Sequence, residues 1–367
     1  MACTYAIVGS GLAGFTSYAT LRHAGVDPGE IAVFGDDPDP ASTWRPRAAA
    51  IRQRRMRSES DGHCHPRSFP GLAPREALRR RSLMPLLDTV CDRYRPTVED
   101  FLAHVQGLRE ISGWDTSFRP ARVERIAATE GGFTLDRHGS FRHVLLALGH
   151  PALKRPPELA RDERVVHAYE PHDYAPDVAI VGAGMAAATE WLNALGAGSC
   201  VTSVRRREPA RRPLNVARPL FSKRGLASFH STSRPRRAEL LREYGEPSYP
   251  PGRSWDEPLE EAMREGRFRV ASELGAAAQV ICATGFEQGF ALDPLLSRLV
   301  EDHALESQER WIVLEADGAI GVLSDDTRTL AVTGVAAQWA YPAADTLVGM
   351  KYFARRFVRR TSRCRTR

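Results

Sequence analysis

The chain has 367 residues, 43% hydrophobic and 26% charged, an ordinary globular composition long enough to bury a large core and to divide into two domains. It contains no run of about eighteen apolar residues, so no membrane span is expected, and MACTYAIVGSG runs straight into a strand and turn rather than a secretory leader. The formal net charge of +6 does not argue for nucleic acid: of 51 basic residues only Lys154, Lys223 and Lys351 are lysine, acidic residues are spread among the arginines, and the densest basic run, Arg355 to Arg367, reads as a solvated helix end.

The first element is AIVGSGLAGFTSYATL, Ala6 to Leu21. An apolar strand enters a turn in which Gly9, Gly11 and Gly14 form G-x-G-x-x-G, and a helix from Leu12 to about His23 leaves it. In such a turn the first glycine permits the tight bend, the second lets the backbone approach a pyrophosphate, and the third lets helix and strand pack closely. The free N–H groups at the helix start then face the phosphates. A second strand, Ile31 to Phe34, follows. Its end holds Gly35 where an acid usually grips the ribose, and Asp36 directly after is the acid assigned to that task.

Trp44 follows this unit, and after it comes RRMRSESDGH, where a cofactor-facing loop would fall. Arg57, Ser58 and His63 in this stretch are the candidates for catalysis, His63 because a histidine can tune protonation near neutral pH; an ordinary surface loop is the competing reading. Three short apolar runs, Val123 to Ala127, Phe133 to Asp136 and Phe141 to Leu148, read as a β-meander that returns to the first sheet and ends at Gly149. A linker rich in proline follows, from Pro151 to Pro176.

A second turn then appears in AIVGAGMAAATEWLNAL, Ala179 to Leu195, as Gly182, Gly184 and Ala187. Alanine in third place still permits close packing. Its second strand, Cys200 to Val204, runs into Arg205-Arg206-Arg207, so guanidinium groups stand where an acid would grip a free 2′-hydroxyl. Arginine pairs with a 2′-phosphate, so the expected nucleotide is NADPH rather than NADH, the competing reading being that the triplet belongs to the chain's general excess of arginine. Two such turns imply two dinucleotides, a bound flavin at the first and a nicotinamide that feeds it hydride at the second.

The segment from Pro209 to Trp255 is an excursion with one expected helix, RRAELLREYG; it reads as a lid, a subunit contact or a solvated, partly mobile loop. Last come QVICATGFEQG, and TLAVTGVAAQ leading into a helix from about Asp345 to Arg359 whose N-terminus would face the flavin. The cysteines Cys3, Cys64, Cys91, Cys200, Cys282 and Cys364 stand singly. No C-x-x-C exists, and His63-Cys64-His65 lacks a second ligand pair, so neither a dithiol centre nor a metal site is expected. The usage suits a reduced, cytoplasmic protein.

The paired glycine turns, the A-T-G-F segment at Ala283 to Phe286 and the V-T-G-V-A-A segment at Val332 to Ala337 resemble two-dinucleotide-binding-domain flavoproteins. Among these the chain is most similar to the class B flavin-dependent monooxygenases: flavin-containing monooxygenases, N-hydroxylases and Baeyer–Villiger enzymes. Trp44 falls in the family's G-G-x-W region, although the residues before it here are Ser42 and Thr43. His167 takes the histidine of the fingerprint F-x-G-x-x-x-H, while Arg161 and Glu163 replace its Phe and Gly.

The resemblance implies an α/β fold with two Rossmann-like domains. The FAD domain would comprise residues 1–172 and 283–367, and an NADPH domain at 173–282 would be inserted in it, carrying the excursion at about 209–255. It assigns Gly9, Gly11, Gly14, Asp36, Trp44, Val123, Gly149, Gly334 and Asp345 to FAD. Gly182, Gly184, Ala187, Arg205, Arg206, Thr284 and Gly285 go to NADPH. The implied activity is oxygenation of a small molecule by molecular oxygen through a (hydro)peroxyflavin, at nitrogen, sulfur or a ketone. A reductase, dehydrogenase or oxidase without oxygen insertion and a non-catalytic flavin-binding partner are the alternatives. A homo-oligomer and a substrate delivered on a carrier protein are compatible with the sequence.

Overall fold

The structure, a computed structural model, describes residues 4–57, 62–67, 71–90, 94–212 and 216–365. Two five-stranded parallel sheets organise it. In the first, Tyr5–Val8 lies at the centre, flanked by Ile31–Gly35 and His143–Leu146, with Phe118–Pro120 and Thr329–Val332 at the edges. In the second, Asp177–Val181 lies at the centre between Cys200–Val204 and Gln279–Cys282, with Phe268–Ala271 and Val165–His167 outside them. The inner strands are unbroken apolar runs because helices cover both faces of a parallel sheet. Tyr5–Val8, for example, is buried at every position.

Each central strand feeds its glycine turn and a twelve-residue helix, Leu12–His23 in one unit and Met185–Gly196 in the other. In each sheet the chain passes from the central strand to a neighbour on one side and later returns to pair on the other side, which opens a crevice beyond its carboxyl end. The meander is present as the antiparallel strands Ile126–Thr129, Gly132–Leu135 and Ser140–Phe141. The run after it, His143–Leu146, pairs with Tyr5–Val8, as the sequence reading expects. The second sheet takes an edge strand from Val165–His167, upstream of residue 173, where that reading changes domain.

Two regions carry structure beyond the sequence expectations. Between the second and third strands of the first sheet lie helices, among them Trp44–Ala50, Ala73–Arg80 and Val98–Ser112. The last starts at Thr97, whose side chain accepts from the Asp100 N–H, and ends at Gly113 with φ 77°. The excursion is not a solvated loop. It holds helices Lys223–His230 and Arg234–Tyr244, and Leu220, Leu226, Phe229 and Leu241 join the core that contains Trp339 and Tyr341. The Arg237 guanidinium lies 5.0 Å from the Trp339 ring, and His230 Nε2 donates to the Ala340 carbonyl at 2.6 Å. Burying those apolar side chains outweighs the arginine-rich surface around them. No helix among the described residues is long and apolar enough to cross a membrane.

Candidate cofactor and substrate site

The two glycine turns are built alike. Gly9 has φ 113°, and a Cβ there would stand 2.2 Å from the Ala147 carbonyl oxygen; Gly182 has φ 137°, and its Cβ would meet the Ala283 oxygen at 2.5 Å. In both units the neighbouring strand therefore ends against the first glycine, and that position admits no side chain. The second glycines differ from the first. A Cβ on Gly11 meets nothing within 4 Å, and one on Gly184 meets only Pro247 Cα at 3.9 Å. Gly11 and Gly184 begin the two helices without a side-chain cap, so first-turn N–H groups face open space. An anionic ligand fits there.

The third positions separate the turns. A Cβ on Gly14 would lie 2.0 Å from the Gly9 carbonyl oxygen, whereas Ala187 carries its methyl fully buried. Gly35, the departure at the end of the second strand, also has a packing cause: a Cβ there would lie 2.2 Å from Ser10 Oγ in the first turn. The next residue, Asp36, turns outward and faces the crevice.

That crevice is a cavity of about 990 Å³, at the upper end of the range for ligand sites. Gly9, Gly11, Asp36, Trp44 and Val123 line it, as do Gly149, Gly334 and Asp345 from later strand ends. Gly14 stands behind the wall. Burial raises the Asp345 carboxyl to about 6, and its side chain opens onto the cavity at the start of helix Leu347–Arg365. Of the three catalytic candidates, Arg57 is on the wall and Ser58 lies outside the described residues. His63 does not reach the cavity. It is buried, its ring is 5.5 Å from that of His104, and its Nδ1 accepts from the His65 N–H at 3.2 Å.

Gly182, Gly184, Ala187, Arg205 and Arg206 form a second locus outside this cavity. Arg205 lies over the Trp191 ring at 5.5 Å and pairs with Glu208 at 2.9 Å, its Nε buried without a partner. Arg206 extends outward, 90% exposed, 3.6 Å from Glu158. Thr284 and Gly285 sit where the chain passes between the sheets: Thr284 Oγ1 donates to the Lys154 carbonyl, and the Lys154 N–H donates to the Gly285 carbonyl at 2.9 Å.

The two loci meet across an aromatic column absent from the sequence expectations. Phe286 stacks on His150 at 4.3 Å and on Tyr169 at 4.8 Å; Tyr169 stacks in turn on His167 at 5.7 Å. His150, Tyr169 and Phe286 all line the cavity, and Arg47 lies 4.9 Å from the Phe286 ring. Each aromatic follows a strand exit, the one sequence signal they share. The helix of the second turn rests on the segment after Trp44, where Arg57 Nη2 donates to Thr189 Oγ1 at 3.0 Å and Asn193 donates to the Ile51 carbonyl at 2.9 Å.

Burial lowers His104, His150 and His167 to about 4. A histidine depressed in the fold contributes its full stability above the unfolded value near 6.5, and loses it as pH falls toward the folded value. His172 works in the opposite sense: burial, its largest single influence, lowers it, but the bond to Glu190, the bond to the Glu170 carbonyl and the Glu190 charge together raise it. Asp345, raised to about 6, also gains as pH falls, so the three lowered histidines stand against two groups. Thermal melts should show a loss of several kcal/mol between pH 6.5 and 4; a flat profile there would contradict the buried neutral histidines.

No protein-family model matches the chain, and no curated protein does. Among solved structures, the ornithine hydroxylase of Pseudomonas aeruginosa superposes with a TM-score of 0.70 at 16% identity, covering 98% of this chain and 100% of that one. An ornithine N-hydroxylase of Kutzneria sp. 744, in a complex of reduced FAD, NADP+ and L-ornithine, gives 0.73 at 13% identity with both chains fully covered. A bacillithiol disulfide reductase of Bacillus cereus gives 0.59 at 13%, again over both whole chains. At these identities the likeness shows the fold, and it spans the whole chain.

Proposed function

We propose that this chain is a FAD- and NADPH-dependent monooxygenase that oxygenates a nitrogen atom of a small molecule. The observation that carries the reading is the pair of glycine turns with open space over Gly11 and Gly184, one turn facing the cavity and the other joined to it through the column at Phe286. FAD, when bound, would accept a hydride from NADPH and activate molecular oxygen.

The chain's own part is binding, orientation and exclusion of water. The helix start at Leu12 would face the flavin diphosphate, with Asp36 at the ribose. Arg205 and Arg206 would hold the 2′-phosphate of NADPH. Trp44, Tyr169 and Phe286 would wall the reacting end with apolar rings, so that a reactive oxygen species meets substrate before water. The N-hydroxylases named above favour nitrogen as the oxygenated atom over sulfur or a ketone.

A reductase without oxygen insertion is the second reading, favoured by the likeness to the disulfide reductase. The described free cysteines Cys64, Cys200 and Cys282 all lie off the cavity wall, and burial raises the Cys64 thiol to about 11. Neither fact suits thiol exchange at a flavin. The test is turnover of purified FAD-loaded protein with NADPH, oxygen and a panel of primary amines, reading hydroxylamine formation. Hydroxylamine in step with NADPH consumption supports the proposal; NADPH consumed with every electron recovered as hydrogen peroxide across the panel favours the second reading.

A further inference from the structure

Helix Met84–Val90 turns its apolar side to solvent. With the preceding helix, Ala73–Arg80, it forms a hairpin that bends at Arg81, where φ is 49°. The inner side of the hairpin is anchored. Glu76 is buried, accepts from the Tyr94 hydroxyl at 2.7 Å, and pairs with Arg80 at 2.7 Å and Arg55 at 3.5 Å. Arg79 pairs with Asp100 at 2.9 Å. The second helix meets the core with Pro85, Leu86 and Thr89.

At 3.6 residues per turn, Leu83, Met84, Leu87 and Val90 share the opposite side, within an arc of about 120°. These four are 57% to 76% exposed, and Leu78 on the first helix is 83% exposed. The usual arrangement, an apolar stripe on the core, is thus reversed. A single exposed leucine needs no explanation, but a continuous stripe marks an interaction face. Leu83, Leu87 and Val90 stand at i, i+4 and i+7, the spacing at which two helices pair. Charge selects the occupant. Among the described residues the side chains of Arg81 and Asp88 make no ion pair or hydrogen bond. One precedes the stripe and the other lies near its end. A twofold axis across the stripe would set Met84 against the second copy's Leu87 and bring each Arg81 to the other copy's Asp88. An anionic lipid surface would instead leave Asp88 against like charge.

We propose that the stripe of Leu83, Met84, Leu87 and Val90 is a docking face for a second copy of this chain. The two helices pair antiparallel about a twofold axis, with the Arg81 of each copy on the Asp88 of the other. Two turns of one helix bury less than a standard interface, so the dimer is reversible and its population follows concentration. The pairing is independent of the reaction proposed above.

Sedimentation velocity of the purified full chain, over about a hundredfold range of concentration, tests this and should show monomer passing to dimer. Leu87→Asp, at the centre of the stripe, should weaken the association by about tenfold or more and leave the thermal melt unchanged, since the position is exposed. Arg81→Glu and Asp88→Arg should each weaken it by setting like charges together. The double variant Arg81→Glu/Asp88→Arg should recover most of the loss, because both pairs form again with their signs exchanged. A wild type that stays monomeric throughout, or a dimer that Leu87→Asp leaves intact, overturns the proposal. Single charge variants that match the wild type, or a double variant that fails to recover, overturn the twofold pairing. A monomer that floats with phosphatidylglycerol–phosphatidylcholine vesicles, and no longer does so as Leu87→Asp, assigns the face to a lipid surface instead.

Discussion

Gly14→Ala is expected to yield protein that purifies without FAD and melts well below the wild type. The added methyl would lie 2.0 Å from the Gly9 carbonyl oxygen and 3.3 Å from Ile7 Cγ2. The first obstacle is backbone, in the turn that would approach the diphosphate, so it has no rotamer to yield. Relief requires helix Leu12–His23 to lift from its strand or Gly9 to move into the crevice. Either costs at least the 1–3 kcal/mol typical of an overpacked core, and the second also spoils the binding turn. Ala187→Gly is the matched change in the other unit. It deletes a methyl that the second turn already accommodates, and should cost about 1 kcal/mol of helix propensity plus a small cavity while retaining FAD. The visible-to-ultraviolet absorbance ratio and a thermal melt check both variants. Full FAD occupancy and an unchanged melt for Gly14→Ala would contradict the packing account of the first turn.

Arg205→Ala/Arg206→Ala should raise the dissociation constant for NADPH by about a hundredfold and leave that for NADH within about threefold. Charge-assisted bonds contribute about 1.5–3 kcal/mol each, and the two together account for that factor. The arginines would contribute differently. Arg206 is exposed and only loosely paired with Glu158, so it can turn onto a phosphate without losing much. Arg205 is held over Trp191 with an unpartnered Nε, and a phosphate would compete with the exposed Glu208 for its outer edge. Arg205→Ala alone should therefore also lower thermal stability, because the Trp191 ring loses its cover. Titration of flavin absorbance with each reduced nucleotide under anaerobic conditions gives the constants. Equal losses for the two nucleotides would exclude a 2′-phosphate site at this strand end.

The legible parts of the chain are those whose signals are local. A fully buried strand, a G-x-G-x-x-G turn and a helix each show within about twenty residues, and both Rossmann units and the meander follow from them. Gly35 looked like a departure because the pattern encodes a ribose contact, not the space Ser10 needs. Residues 37–117 were opaque for another reason. Short helices such as Ala73–Arg80 are mostly polar and find their buried face only against the first unit. In the excursion, Leu220, Leu226, Phe229 and Leu241 are too widely spaced among arginines to announce a core, and their partners Trp339 and Tyr341 come about a hundred residues later. The cavity wall was the hardest to read. His150, Tyr169 and Phe286 belong to three strand exits, and only the double passage of the chain between the sheets stacks them together.

The central claim is that the cavity over the first turn holds a flavin that receives hydride from the second turn and hands electrons to oxygen under protection from water. Stopped-flow absorbance addresses it most directly: purified protein is reduced anaerobically with NADPH, then mixed with oxygenated buffer. The account predicts rapid bleaching by NADPH, slower bleaching by NADH, and a transient absorbing species that persists before the oxidised flavin spectrum returns. Bleaching followed by direct reoxidation with no transient would contradict oxygen insertion, and protein that binds no FAD would contradict the account as a whole.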